Sequence, residues 1–187
     1  MRLREKILRR RVVYRGSYLT TEQLLVRLPN GRQTTRDIVR PPNAVAVVAL
    51  DQEGYTYLVR QYRPALGRVL LELPAGIIDP GESPATTARR ECEEEIRMRP
   101  KRLRKLCTTY HASGFSTGHI HIFLATDLTP VKGPPPDPTE FIEAVRVPFA
   151  QAYRMVLKHR IVDAQSQIGI LWTKPLLQTG RHAPIHR

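Results

Sequence analysis

The sequence predicts an α/β domain, and three features carry that prediction. Between Val12 and Val39, and again between Ala44 and Arg63, apolar residues recur in short alternating or continuous runs of strand length, broken by turns at Pro29-Asn30-Gly31 and Asp51 to Gly54. From Ser83 onward the apolar period becomes helical. Two further helical patterns, Ala150 to His159 and Asp163 to Thr173, lie towards the C-terminus. At 187 residues the chain is long enough for one well-cored domain and too short for two of ordinary size.

In chain order, residues 1–11 belong to the most basic stretch, RLREKILRRRVVYRG, and read as a soluble arm, flexible or helical. Its alternative use is a phosphate or nucleic-acid contact, although the interleaved aromatics that favour single-strand binding are lacking. Residues 12–40 read as a small antiparallel β-sheet, because an Asn-Gly step between alternating segments is a strong hairpin signal. Residues 41–174 form the main domain. Its first run, Ala44 to Leu50, is apolar on both faces and predicts a central strand, followed by Thr56 to Arg63 and Arg68 to Leu73. A turn rich in glycine and proline then leads to Ser83-Pro84, a helix start: a serine oxygen caps free N–H groups, and proline suits the first helical position. On that helix Ala85, Ala88, Cys92 and Ile96 make one apolar stripe.

A strand over Leu106 to Tyr110 and a second apolar strand ending near Ala125 follow, with His111 to Gly118 between them. The proline-rich run Lys132 to Glu140 is a stiffened loop of the kind that can cover a site. The second C-terminal helix offers Ile168, Leu171 and Trp172 to the core, with Gln165 and Ser166 as surface or capping residues. Residues 175–187 read as a flexible tail. No internal repeat is visible.

The formal net charge is +13, which raises the local concentration of anionic partners, nucleotides or nucleic acid, without bearing on fold. Only two cysteines occur, Cys92 and Cys107, and neither a signal-like segment nor a membrane-length apolar run is seen; this fits a reducing cytoplasm and no membrane partner. Cys92 lies on the apolar stripe and reads as a small core residue.

Glu91, Glu94 and Glu95 are spaced i, i+3, i+4, so they gather along the edge of that stripe. Like charges four apart cost roughly 0.2–0.5 kcal/mol per pair. No lysine or arginine stands among the three to relieve it. A divalent cation would reverse the sign, and carboxylates in this number suit Mg²⁺ or Mn²⁺, hard cations that take oxygen ligands. The absence of a cysteine and histidine quartet argues against structural zinc. His111, His119 and His121 invite a metal reading too, but His121 alternates with apolar strand neighbours. Arg90 adds a fork that can hold Glu82 or a neighbouring carboxylate. The three glutamates alone leave open a merely solvated acidic helix face.

The wider spacing narrows this choice. Gly76, five residues, Glu82, seven residues, then Arg90-Glu91-Cys92-Glu93-Glu94-Glu95-Ile96-Arg97-Met98 resembles the Nudix box, a glycine-to-glutamate-to-REUxEE pattern ending xGU, with U a bulky apolar residue. Every charged position is present at its distance. Arg97 stands where the family has a glycine that closes the helix in a left-handed conformation, and Cys92 is a smaller apolar residue than usual.

The resemblance implies an α/β/α sandwich of the Nudix type with a mixed sheet and an additional N-terminal antiparallel β-sheet. It implies a hydrolase acting on a nucleoside diphosphate linked to another group. Carried over residue by residue, Glu91, Glu94 and Glu95 would hold Mg²⁺, or Mn²⁺, with the Ala75 carbonyl, while Glu82 and Arg90 would orient them. Outside the box the chain is most similar to ADP-ribose pyrophosphatases, from Arg36-Asp37-Ile38-Val39-Arg40 beside a typical REVVR to Arg60-Gln61-Tyr62-Arg63 beside RQYR or KQFR. In that subfamily the final arginine of the latter meets substrate phosphate, which makes Arg63 a candidate phosphate ligand, a structural ion pair being the alternative. The N-terminal sheet there exchanges between subunits to make a homodimer and helps bind adenine. Arg36 and Tyr18 are therefore candidate substrate contacts. Glu140, in Glu140-Phe141-Ile142-Glu143, matches the segment that supplies a water-activating glutamate, with Glu91 and Asp137 as other options.

Two positions depart from the subfamily: Ser113 replaces the proline associated with ADP-ribose preference, and Gly118 replaces an acidic residue. The expected substrate is thus ADP-ribose or a related nucleoside diphosphate sugar. A dinucleoside polyphosphate or an oxidised nucleoside triphosphate is the alternative within the class. A non-catalytic nucleotide- or RNA-binding module is the alternative outside it.

Overall fold

The computed structural model describes residues 3–132 and 140–178, and the chain divides into two compact units. The first comprises residues up to Asn43 together with Tyr110–His119. Its three strands, β1 (Lys6–Arg15), β2 (Thr20–Arg27) and β3 (Gln33–Arg40), form an antiparallel sheet in that order. The Asn-Gly step closes the β2–β3 hairpin as expected. Gly31 takes φ 86°, Leu28 N–H donates to the Arg32 carbonyl at 2.8 Å, and Arg32 N–H donates to Asn30 Oδ1 at 3.1 Å. Strand β1 begins at Lys6, inside the stretch that the sequence reads as an arm over 1–11. Charge density masked the pattern, and the ladder to β2 that fixes this strand is a long-range partner invisible to local composition.

The Tyr110–His119 segment meets β3 along its backbone: Val39 N–H donates to the Phe115 carbonyl at 2.7 Å, and Thr117 N–H donates to the Val39 carbonyl at 3.0 Å. Gly118 lies in a crowded position. A Cβ on it would come within 2.6 Å of Pro41 Cγ, so a side chain at 118 requires its neighbours to shift.

The second unit holds a seven-stranded mixed sheet, ordered β10-β5-β4-β9-β8, with β6 on β5 and β7 on β4. Its elements are β4 (Ala44–Leu50), β5 (Tyr55–Arg63), β6 (Arg68–Glu72), β7 (Ala75–Ile77), α1 (Pro84–Glu95), β8 (Met98–Thr109), β9 (Ile120–Pro130), β10 (Ile142–Pro148), α2 (Phe149–Leu157) and α3 (Ala164–Gln178). Central β4 runs parallel to β9 and antiparallel to β5. Its alternation serves two cores: Val45, Val47 and Ala49 join Ala88, Cys92 and Ile96 of α1, whereas Ala46, Val48 and Leu50 join Phe149, Ala152 and Val156 of α2 and Ile170 of α3. Helices thus cover both faces, the α/β/α arrangement expected. A strand covered on both faces reads as an unbroken apolar run.

Three local expectations are corrected. Strand β8 starts at Met98, not near Leu106, because exposed basic residues from Arg99 to Lys105 interrupt its apolar pattern while the ladder to β9 continues to Met98 opposite Pro130. Helix α3 continues to Gln178, so residues 175–178 are helical and only 179–187 of the predicted tail fall outside the described residues. Trp172 and Leu171 are 54% and 39% exposed, and α3 buries Ser166, Gly169, Ile170 and Thr173 instead. Gly169 sets that choice, since a Cβ there would stand 2.8 Å from Leu73 Cδ1; the helix approaches β4 on its small side.

Candidate active site

Ser83 caps α1 as the sequence predicts, its Oγ accepting from Thr86 N–H at 3.1 Å, with Pro84 in the first turn. The cap sets the rotation that places Glu91 on the buried stripe beside Ala88 and Cys92. Glu91 is only 6% exposed. Room for its carboxylate comes from Gly76, where a Cβ would overlap the Glu91 carboxylate oxygens. Gly76 belongs to β7, paired with β4 over Ala44 to Ala46, so the central sheet holds this backbone against the helix. One residue earlier, Ala75 N–H donates to Glu95 Oε2 at 3.0 Å.

Arg90 binds the acids together. Its Nη1 donates to Glu91 Oε1 at 2.8 Å and Glu94 Oε2 at 2.9 Å, its Nε and Nη2 reach Glu82, and Nη2 also donates to the Ile77 carbonyl at 3.2 Å. Sequence reasoning placed no basic residue among the three glutamates; the guanidinium nevertheless lies between two of them, because Arg90 is one turn before Glu94. Thr87 Oγ1 donates to Glu82 Oε2 at 2.8 Å. The Arg90 and Thr87 bonds hold the Glu82 carboxyl below its ordinary range.

Burial acts the other way on the inner pair. Desolvation pushes Glu91 up to about 7, with the Glu94 and Glu140 charges adding to it and Arg90 opposing. Desolvation, and then the Glu91 charge, push Glu95 up to about 8. Glu140 bears on both, so this exposed residue stands within electrostatic reach of Glu91 and Glu95. The Cys92 thiol is pushed far up by burial and is a core group, not a nucleophile.

Among the described residues no three acidic, histidine or cysteine side chains converge as metal ligands, and Arg90 lies between Glu91 and Glu94. The chemistry of the cluster still fits a hard divalent cation. Its donors are oxygens, desolvation raises Glu91 and Glu95 above the usual carboxylate range so that added positive charge would stabilise them, and the Gly76 cradle brings backbone against Glu91.

Beside this cluster, Arg63 forks onto the buried Glu72, Nη2 to Oε2 at 2.6 Å and Nε to Oε2 at 3.0 Å. This is the ion pair that the sequence leaves as the alternative to a phosphate contact. Asp163 and Ser166 were missed as site-supporting residues. Ser166 is fully buried, its Oγ donating to Asp163 Oδ2 at 2.6 Å and accepting from Leu73 N–H at 2.8 Å, two residues before Ala75. The sequence reads Ser166 as a surface or capping residue, and this is corrected: Asp163 is the capping acceptor and Ser166 is buried, because burial depends on where α3 lands.

Tyr18 and Arg36 lie in the first unit. Tyr18 is 58% exposed in the β1–β2 turn, and Arg36 Nη2 pairs with Glu5 Oε1 at 2.7 Å. The register sets Thr20 opposite Arg40, so Arg36 is four positions along the strand from that end, roughly 13 Å. The sheet does not bring the two together. The histidines do not form a cluster either: His121 Nδ1 shares a hydrogen bond with Thr108 Oγ1 at 2.9 Å, and the His119 ring tilts on Tyr110. Asp137 lies outside the described residues.

Comparison with known proteins agrees with this geometry. The NUDIX domain family matches residues 40–167. An ADP-ribose pyrophosphatase of Bacillus subtilis is 36% identical over 169 residues, 90% of this chain and 91% of the relative. An ADP-ribose pyrophosphatase of Mycobacterium tuberculosis is 37% identical over 161 residues, 85% of this chain and 78% of that one. A crystal structure of an ADP compounds hydrolase superposes with a TM-score of 0.85 at 25% identity, covering 98% of this chain and all of that one. With a family match over most of its length and its box on a helix against a mixed sheet, the chain belongs to the Nudix hydrolase family.

Proposed function

We propose that this protein hydrolyses the pyrophosphate of ADP-ribose, or of a closely related nucleoside diphosphate sugar, to a nucleoside monophosphate and a sugar phosphate, using Mg²⁺ with Mn²⁺ as a substitute. The observation that carries the proposal is the acid cluster: buried Glu91 against the Gly76 backbone and tied by Arg90 to Glu94 and Glu82, with half-buried Glu95 held by Ala75 N–H. The similar proteins named for ADP-ribose support the substrate class.

Glu91, Glu94, Glu95 and the Ala75 carbonyl are the oxygens we assign to the cation. Once bound, a divalent cation neutralises pyrophosphate oxygens and lowers the pKa of water. Arg90 keeps three carboxylates in fixed orientation, and Glu82, held ionised, keeps Arg90 in place. Glu140 is the candidate general base: it is exposed, acts electrostatically on Glu91 and Glu95, and would take the proton of the attacking water. Glu91 is the alternative base. A homodimer, implied by the family resemblance, belongs to the same proposal and is checked by sedimentation equilibrium.

The test is AMP release from ADP-ribose with Mg²⁺, beside a panel of other nucleoside diphosphate sugars, dinucleoside polyphosphates and oxidised nucleoside triphosphates. ADP-ribose is expected to be turned over best, with Glu94→Gln lowering kcat/KM at least 100-fold. A comparable loss in Glu140→Gln, with metal affinity unchanged, identifies the base. Absence of turnover across the panel with either metal overturns the hydrolase assignment.

A further inference from the structure

The three-stranded sheet carries four cations on each face but pairs acids with those of one face only, and two β-bulges set which residues share a face. Residues opposite one another across an antiparallel pair share a face. The β1–β2 register shifts between Ile7 and Arg9 and again between Val12 and Tyr14, leaving Leu8 and Val13 as the extra residues. Without the first bulge, Lys6 and Arg9 would point to opposite sides. With it, Lys6, Arg9, Arg11 and Tyr14 stand on one face, opposite Arg27, Leu25, Gln23 and Thr21.

The other face carries Leu24 and Val26, both buried, together with Glu22, which pairs with Arg10 and Arg40. Arg36, opposite Leu24, points to that same face and pairs with Glu5. Two of the three acids of this unit are thus spent on the Leu24 face. The third, Asp37, stands opposite Gln23 on the Lys6 face and accepts from Gln23 Nε2 at 3.2 Å. Among the described residues no salt bridge is made by Lys6, Arg9, Arg11 or Arg27, all of them exposed. Beside this cationic line Tyr14 is 59% exposed, its ring lying over Gly16, where a Cβ would stand 2.8 Å from the ring.

We propose that this face of the sheet, with Lys6, Arg9, Arg11 and Arg27 along the phosphates and Tyr14 stacked on a base, is a docking surface for single-stranded nucleic acid. Cations on every second residue of an extended strand repeat at roughly 7 Å and track a backbone of like-spaced negative charge. The stretch has no run of interleaved aromatics, but its single ring, Tyr14, stands exposed at the end of the cationic line and can take an unstacked base, whereas the bases of a duplex are already stacked on each other. A second copy of the same face is disfavoured by charge, since it would bring the four cations against their own kind.

The test uses the full chain and a fluorescently labelled 20-nucleotide oligo(U) RNA, read by anisotropy as salt is raised. Four phosphate contacts predict a slope of log Kobs against log[salt] of about −3, or about a fifty-fold weakening between ~50 and ~200 mM salt. The combined variant Lys6→Gln, Arg9→Gln, Arg11→Gln, Arg27→Gln is expected to flatten that slope and lose at least ten-fold in affinity at low salt, with turnover of small nucleotides retained. Tyr14→Ala is expected to weaken oligo(U) binding several-fold without changing the slope. Equal binding of a 20-base-pair duplex with no effect of Tyr14→Ala overturns the single-strand assignment. Unchanged binding in the combined variant, binding to anionic lipid vesicles but not to oligo(U), or a variant that changes only the oligomeric state on sedimentation overturns the docking surface itself.

Discussion

Gly76 and Arg97 show opposite uses of a backbone position. At Gly76 the requirement is space: the Glu91 carboxylate lies where a Cβ would be. Gly76→Ala must expel that carboxylate or separate β7 from α1. It is expected to lower kcat/KM about 100-fold and weaken divalent-cation binding measured by calorimetry, while the far-ultraviolet spectrum stays native. At Arg97 the requirement is conformation. This residue, just after the Ile96 cap of α1, takes φ 57°, the left-handed region that the family fills with glycine. The helix exit therefore keeps the family shape despite the substitution, at a cost of about 1 kcal/mol. Arg97→Gly should recover about 0.5–1 kcal/mol in urea unfolding, less whatever the Arg97 bond to the Lys132 carbonyl contributes. A destabilisation greater than 1 kcal/mol would mean that the side chain, not the backbone, explains the arginine.

At the scale of elements, the site depends on how α3 meets the β6–β7 connection. Ser166 Oγ is the partner of Leu73 N–H, and Asp163 is the partner of Ser166, so the helix start anchors the turn that carries Ala75. Ser166→Ala leaves a buried N–H without its acceptor and is expected to cost about 1–3 kcal/mol in chemical unfolding. If the turn is also displaced, Mg²⁺ affinity falls with it. Ser166→Thr, which keeps the acceptor, should recover the metal affinity if not all of the stability. Equal Mg²⁺ affinity in wild type and Ser166→Ala would reduce the contact to a structural one. The same helix shows why the sequence misjudged Trp172: α3 has apolar residues on more than one side, and Gly169, the smallest, determines which side faces β4.

For the whole molecule, the buried acids couple global stability to pH and to metal. Glu91 and Glu95 have folded-state values raised from 4.5 to about 7 and about 8, so the native protein holds protons that the unfolded chain releases. Their contribution is complete below about 4.5 and is lost as pH rises through about 7 and 8. The metal-free protein is therefore expected to lose stability across this window and to level off above it. If the cation is held by these groups as proposed, it needs both ionised, so the stabilisation it brings should grow over the same window, reaching about 2.7 kcal/mol when its concentration is 100 times Kd. Thermal unfolding from pH 5 to pH 9, with Mg²⁺ and with a chelator, checks this. A metal-induced shift in Tm that shrinks as pH rises would contradict it.

The sequence by itself determined the α/β class, the central strand β4, the cap at Ser83 and the acidic positions of the box, because each is written in local period and fixed spacing. It left the helix exit open at Arg97, where an arginine replaces the family glycine, and only the structure shows that the left-handed backbone is kept there. Tertiary structure alone decided that Arg90 bridges Glu91 and Glu94, that Arg63 turns to Glu72, that Ser166 is buried, and that β1 starts at Lys6. Each of these last facts depends on a partner or a rotation set by packing, often many residues away. Side-chain pairing, burial and strand register are properties of the assembled neighbourhood, and no local pattern encodes them.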